Sequence, residues 1–214
     1  MNFKQVMHAL EVELMKPLPG KEKQFQMSSV RRIREMTDES QIKNGVKSSV
    51  LILLYPSFQG DEISIVLILR PRYEGVHGGQ ISLPGGRSEE MDIDLKETAL
   101  REAKEEIGID PTKIITIGVL TELYIPPSNF LVLPYVGYTS EKPIFNPDPQ
   151  EVASIIEINL TELKNDKNVK SKDVFVRPGF SVFGPCFEIN GHIIWGATAM
   201  ILNEFKEIVK RIKI

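Results

Sequence analysis

The amino-acid sequence predicts an α+β fold, strands covered by a few helices, and three observations carry that reading. From Ser49 onward, short β-branched apolar runs recur between turn signals. Residues 3–15 and 197–209 instead repeat apolar side chains at helical spacing. A third helical segment, residues 95–107, ends at a glycine placed as a C-terminal stop. Many strands with two or three helices make an α+β domain.

Taken in order, Phe3, Val6, Met7, Leu10 and Leu14 form one stripe of a helix, and Pro17 and Pro19-Gly20 end it. Residues 21–47 are polar and read as loop with one or two short helices, either a separate extension or a wrap around the core. Residues 50–55 and 63–70 are strands on either side of the Gly60-Asp61 turn. Residues 72–79 read as a glycine-bearing loop, and 80–83 as a short strand entering a Pro84-Gly85-Gly86 turn. Leu100, Ala103 and Ile107 line the buried side of the third helix. Residues 114–123, 131–138 and 152–158 are read as strands, 160–163 as a short helical piece, and the charged residues 164–173 as exposed loop. Asn190-Gly191 signals a type I′ hairpin within 186–195.

Composition narrows the function. The chain has 214 residues with 42% hydrophobic and 26% charged, ordinary for one globular domain. A net charge of −3 argues against a general nucleic-acid binder. The apolar run at 50–55 is far too short to span a membrane. A single cysteine, Cys186, excludes an internal disulfide and reads as an inert buried thiol. Residues 1–8 lack the apolar core of a signal peptide, so a cytoplasmic location is expected.

The charge is unevenly spread. Residues 89–106 hold eight Asp/Glu against three Lys/Arg, where residues 1–48 hold nine Lys/Arg against six Asp/Glu. Within the acidic stretch, Glu102, Glu105 and Glu106 fall at i, i+3 and i+4, one turn of a helix. Like charges so placed repel unless a cation joins them, and a hard divalent ion wants carboxylate oxygens. The bland alternative is a glutamate-rich solvated helix. Gly85 and Gly86, upstream, let backbone approach that face or a ligand. The joint reading is metal-assisted phosphate chemistry.

Arg101-Glu102-Ala103-Lys104-Glu105-Glu106-Ile107-Gly108-Ile109, with fourteen residues between Gly86 and Arg101, resembles the Nudix box. Asp92 stands where that box usually has glutamate, and the spacer to Arg101 is one residue longer than usual. Leu67-Ile68-Leu69-Arg70 and His77-Gly78-Gly79-Gln80-Ile81-Ser82-Leu83-Pro84-Gly85-Gly86 are similar to the signature of the coenzyme A pyrophosphatase branch. Leu83 replaces its usual Phe, and Gly75 its usual Arg.

The resemblance implies an α/β/α sandwich with a mixed central sheet, formed by a Nudix hydrolase domain at 47–214 behind an N-terminal helical extension at 1–46. It implies Mg²⁺ or Mn²⁺ held by Glu102, Glu105 and Glu106, with Arg101 holding the glutamates by ion pairs. Glu102, Glu105, Arg101 and Glu151 are the expected catalytic set. Arg70, Arg72, His77, Gly85 and Gly86 are the expected contacts to a coenzyme A-like substrate, Arg70 as a substrate or a loop-ordering residue. Asp92 is either a support for these groups or loop solvation, and Glu151 either a further base or ligand or a solvated strand end. Tyr124 and Phe130 either line a substrate pocket or pack in the core; Trp195 and His192 are read as structural. The rival substrates are ADP-ribose or another nucleoside diphosphate derivative, and the rival class is a ligand-binding regulator without hydrolysis. A homodimer is compatible with the sequence.

Overall fold

The computed structural model describes residues 1–57, 62–72, 78–177 and 180–213, with residues 30, 31, 175–177 and 180 described by backbone alone. Its elements run α1 (Phe3–Leu14), α2 (Gly20–Phe25), α3 (Val30–Met36), α4 (Glu39–Lys43), β1 (Val46–Pro56), β2 (Ile63–Leu69), β3 (Ile81–Ser82), β4 (Gly85–Arg87) and α5 (Leu95–Ile107). They continue with β5 (Ile115–Val119), β6 (Leu123–Ile125), β7 (Phe130–Tyr138), β8 (Ser154–Asn159), α6 (Leu160–Lys164), β9 (Val169–Arg177), β10 (Phe180–Ile189), β11 (His192–Trp195) and α7 (Gly196–Val209).

The central sheet is mixed. Its path is β3-β2-β1-β7-β5, with β4 added to β1, β6 to β7 and β8 to β2. β1 and β7 run parallel from Val46 opposite Phe130 to Leu54 opposite Tyr138, and the remaining pairs are antiparallel. Successive strand residues face opposite ways, so a strand buried on both faces feeds two cores. Ile52 and Leu54 of β1 join Ile65, Leu67, Val6, Leu10, Met200 and Phe205 on one face. Leu51, Leu53 and Tyr55 join Val66, Ile68, Ala99, Ala103 and Ile107 on the other. The sheet therefore lies between α5 on one side and α1 and α7 on the other, the expected α/β/α sandwich.

Residues 1–46 share the first core. Val6, Met7, Leu10, Leu14 and Met27 are buried in it. Glu204 of α7, fully buried, accepts from Gly20 N, Gln24 Nε2, Thr121 N and Thr121 Oγ1, so one carboxylate ties the N-terminal segment to the C-terminal helix.

Several local expectations change. Residues 80–87 are not one strand and a turn but two short strands either side of Pro84, because β4 pairs antiparallel with β1. The strand expected over 114–123 breaks after Val119, following a bulge at residues 116–118. Residues 169–173, expected as loop, begin β9: its partner is β10, and Lys172 pairs with Glu188 across them, so polar cross-strand contacts replace apolar alternation. The hairpin at 190–191 has Asn190 at φ 53° and Gly191 at φ 80°, as a type I′ turn requires. Cys186 is buried opposite Trp195, and burial pushes its thiol up.

Candidate active site

The site is assembled on α5. Asp94 caps its N-terminus through Glu97 N, and Gly108 ends it at φ 70°. A Cβ on Gly108 would stand 2.5 Å from Asn146 O, so only glycine lets the following turn dock there. That turn satisfies the helix's last carbonyls: Asn146 N donates to Ile107 O and Asp148 N to Glu106 O. Asp148 O then accepts from Glu151 N and Val152 N, which brings Glu151 beside the end of the helix.

Glu102, Glu106 and Glu151 each present a carboxylate oxygen within 4.8 Å of the others. Glu105 is not in this group. The helix divides its acids into two i, i+4 rows: Glu102 and Glu106 face the sheet, while Arg101 and Glu105 form the neighbouring row. Glu105 Oε2 accepts from Arg101 Nη1 at 2.9 Å, and its side chain is half exposed. Glu106 is 1% exposed, against 14% for Glu102. Burial pushes Glu106 up to about 7 and also raises Glu102; the charges of Glu102 and Glu151 add to the first effect.

Arg101 organises the outer row. Its Nη1 donates to Glu102 and Glu105, its Nη2 to Arg87 O, and Nε and Nη2 clasp the two oxygens of Asp92 at 2.9 and 3.1 Å. Asp92 is buried and also accepts from Glu89 N and Thr98 Oγ1. The Arg101 guanidinium holds its carboxyl well below the usual carboxylate range. Of the two sequence readings of Asp92, the structure supports the supporting role.

The two glycines answer to different neighbours. Gly85 has φ 148°, and a Cβ there would overlap Ser49 O and reach 2.5 Å from Val50 Cα. A Cβ on Gly86 would stand 2.5–2.6 Å from the Glu102 carboxylate. Gly85 therefore lets β4 lie on β1, and Gly86 makes room for an acid of the cluster. Arg70, at the end of β2, donates to Ser82 Oγ, Gly85 O and Glu106 Oε1. Gly85 N donates to the other oxygen of Glu106 at 2.8 Å.

Arg72 is exposed, and no ion pair among the described residues involves it. His77 and Gly75 lie outside the described residues. Tyr124 is buried and donates to Asn129 Oδ1, and Phe130 packs against the first core, so both serve packing. Ser82 and Thr98 were not singled out in the sequence; each is a lone hydroxyl whose partner is distant in the chain or on the preceding loop, and no local pattern marks them.

Three clustered carboxylates, one fully buried with a raised proton affinity, suit a hard divalent cation. Glu102, Glu106 and Glu151 are the residues that fit it.

Among known proteins, the family described as NUDIX domain matches residues 46–177. The Arabidopsis thaliana protein named Nudix hydrolase 22, chloroplastic, is 35% identical over 162 residues, covering 73% of this chain and 53% of that protein. The chain thus spans about half the length of this relative, and similarly 56% of Nudix hydrolase 15, mitochondrial, from the same plant. The Nudix hydrolase NudL of Yersinia enterocolitica, named as uncharacterized, is 30% identical over 194 residues, covering 87% of this chain and 97% of that one. In solved structures, the Nudix hydrolase RenU from M. smegmatis superposes with a TM-score of 0.55 at 14% identity over 79% of this chain and 88% of that one. A C. elegans Ap4A hydrolase binary complex gives 0.52 at 13% identity, covering 78% and 99%. At these identities the structures bear on the fold alone.

Proposed function

The chain belongs to the NUDIX domain family, and on that premise we propose that it is a divalent-metal-dependent hydrolase of the diphosphate in coenzyme A or its derivatives. The observation that carries the reaction class is the Glu102, Glu106 and Glu151 cluster beside the Gly85-Gly86 turn. Glu102, Glu106 and Glu151 would hold the cation, which would supply charge to offset the diphosphate and lower the pKa of a water. Water oxygen bonds to one phosphorus, the bridging P–O bond breaks with its electron pair leaving on the second phosphate, and a proton is released. The products are 3′,5′-ADP and 4′-phosphopantetheine. Arg101 keeps Glu102 and Glu105 oriented, and Glu105 and Glu151, the two exposed acids, are the candidates for taking the water's proton.

The coenzyme A assignment is supported by the Leu67–Arg70 and His77–Gly86 signature segments. Arg72, an exposed cation beside that loop, is suited to a phosphate. A hydrolysis screen with Mg²⁺ and Mn²⁺ over coenzyme A, acyl-coenzyme A, ADP-ribose, NADH and dinucleoside polyphosphates tests it. The expected result is the highest kcat/KM on coenzyme A or an acyl derivative, with 3′,5′-ADP as product. Preference for ADP-ribose would refute the substrate, and release of inorganic phosphate from coenzyme A would refute the reaction class.

A further inference from the structure

We infer that Arg70 is a positioning residue that joins the cation-binding helix to the glycine turn, and that it does not read a substrate phosphate. The inference rests on the metal reading of the acid cluster. Arg70 leaves β2 at a junction of the segments that build the site. Its own N donates to Gln80 O, just before β3, and Ala153 N, just after the Glu151 turn, donates to Leu69 O. The base of the side chain is therefore pinned between the glycine loop and the segment that carries Glu151.

The guanidinium continues the same pattern. Nε donates to Ser82 Oγ at 3.2 Å, while Nη2 donates to Glu106 Oε1 at 2.9 Å and to Gly85 O at 3.1 Å. Gly85 N closes a small ring by donating to Glu106 Oε2 at 2.8 Å. Both oxygens of Glu106 are thus oriented, and each keeps a lone pair for a cation. The planar fork of a guanidinium presents donors from separate nitrogens in a fixed geometry to acceptors on several chain segments, whereas an ammonium gathers its donors on one nitrogen at the end of a flexible stem. A residue meant to greet an incoming phosphate would keep its donors toward solvent, whereas the Nε and Nη2 donors of Arg70, three of its five N–H groups, are turned onto the strand, the turn and the helix.

Arg70→Lys separates the two roles because it preserves the charge and removes the fork. The dissociation constant for Mn²⁺ alone, without substrate, is measured by electron paramagnetic resonance on wild type and variant, with circular dichroism as the fold check. A positioning role gives a Mn²⁺ affinity ten- to a hundredfold weaker, the loss typical when a partner of a metal ligand is removed. It also lowers kcat while KM for coenzyme A and for dephospho-coenzyme A moves equally. Unchanged Mn²⁺ affinity in Arg70→Lys, with a KM raised for coenzyme A alone, would overturn the inference and restore a phosphate contact. Wild type that binds no Mn²⁺ would overturn the metal reading itself and this inference with it. If Arg70→Lys does not fold, Ser82→Ala decides: it removes only the Nε acceptor, and unchanged Mn²⁺ affinity there overturns the inference.

Discussion

Glu106 titrates where a surface glutamate does not, and that has a measurable effect on stability. Its carboxylate is 1% exposed, and burial moves it from 4.5 up to about 7 despite the nearby Arg70. Between those values the folded protein holds a proton that the unfolded chain has lost. Stability in the absence of metal therefore falls as pH rises through this window and levels off above about 7. The distance between the two values corresponds to about 3 kcal/mol at most. Glu106→Gln cannot titrate, and any defect in its hydrogen bonds to Arg70 and Gly85 is a constant offset. The expected outcome is that the stability of wild type relative to Glu106→Gln declines by up to about 3 kcal/mol from pH 4.5 to pH 8. For a chain of this size that is about 6–12 °C in Tm. The assay is thermal or urea unfolding in a chelating buffer at several pH values. Mn²⁺ added at pH 8 should then raise wild type and not the variant, while kcat of the variant falls by about two orders of magnitude. Stability curves that run parallel from pH 5 to 8 in chelator would refute the buried-carboxylate reasoning.

Gly86→Ala places a methyl on the Glu102 carboxylate, so kcat should drop by about a hundredfold with an unchanged circular dichroism spectrum; full activity would show that Glu102 needs no room there. Asp92→Asn weakens the clasp on Arg101 and should lower stability by about 1–3 kcal/mol in urea unfolding, a loss that a merely solvated loop acid would not produce. Glu204→Ala leaves Gly20 N, Gln24 and Thr121 without their buried acceptor, and limited proteolysis should then cut within residues 15–28 faster than in wild type; equal rates would mean that these hydrogen bonds do not hold the N-terminal segment down.

The elements that read clearly in the sequence are those whose signal is local. α1 and α7 carry apolar stripes, α5 ends at Gly108, and the 190–191 turn has a dipeptide suited to its two left-handed residues. β4 and β9 were hidden because their identity depends on a partner strand. Gly85–Arg87 is a strand only because β1 accepts it, and Val169–Arg177 is one because β10 runs beside it. Residues 1–46 were open between an extension and a wrap. Their packing rests on Glu204, nearly two hundred residues away, which no periodicity announces.

The same division runs through the site. A spacing of i, i+3 and i+4 places three glutamates within a turn, yet it leaves open which of them meet. Adjacent rows on a helix surface diverge by about 100° per residue, so Glu102 and Glu106 turn inward together while Glu105 joins Arg101. The third member of the inner group, Glu151, arrives from a turn that can dock only because Gly108 has no side chain against Asn146. A glycine that reads as a simple helix stop thus also admits a distant acid. The buried carboxylate is unfavourable for folding by itself, and Arg70 and Gly85 N offset only part of that cost, since Glu106 still holds its proton up to about 7. A fold that keeps an acid there, opposite two others, is short of positive charge at one place, which is what a divalent cation would supply under the proposed function.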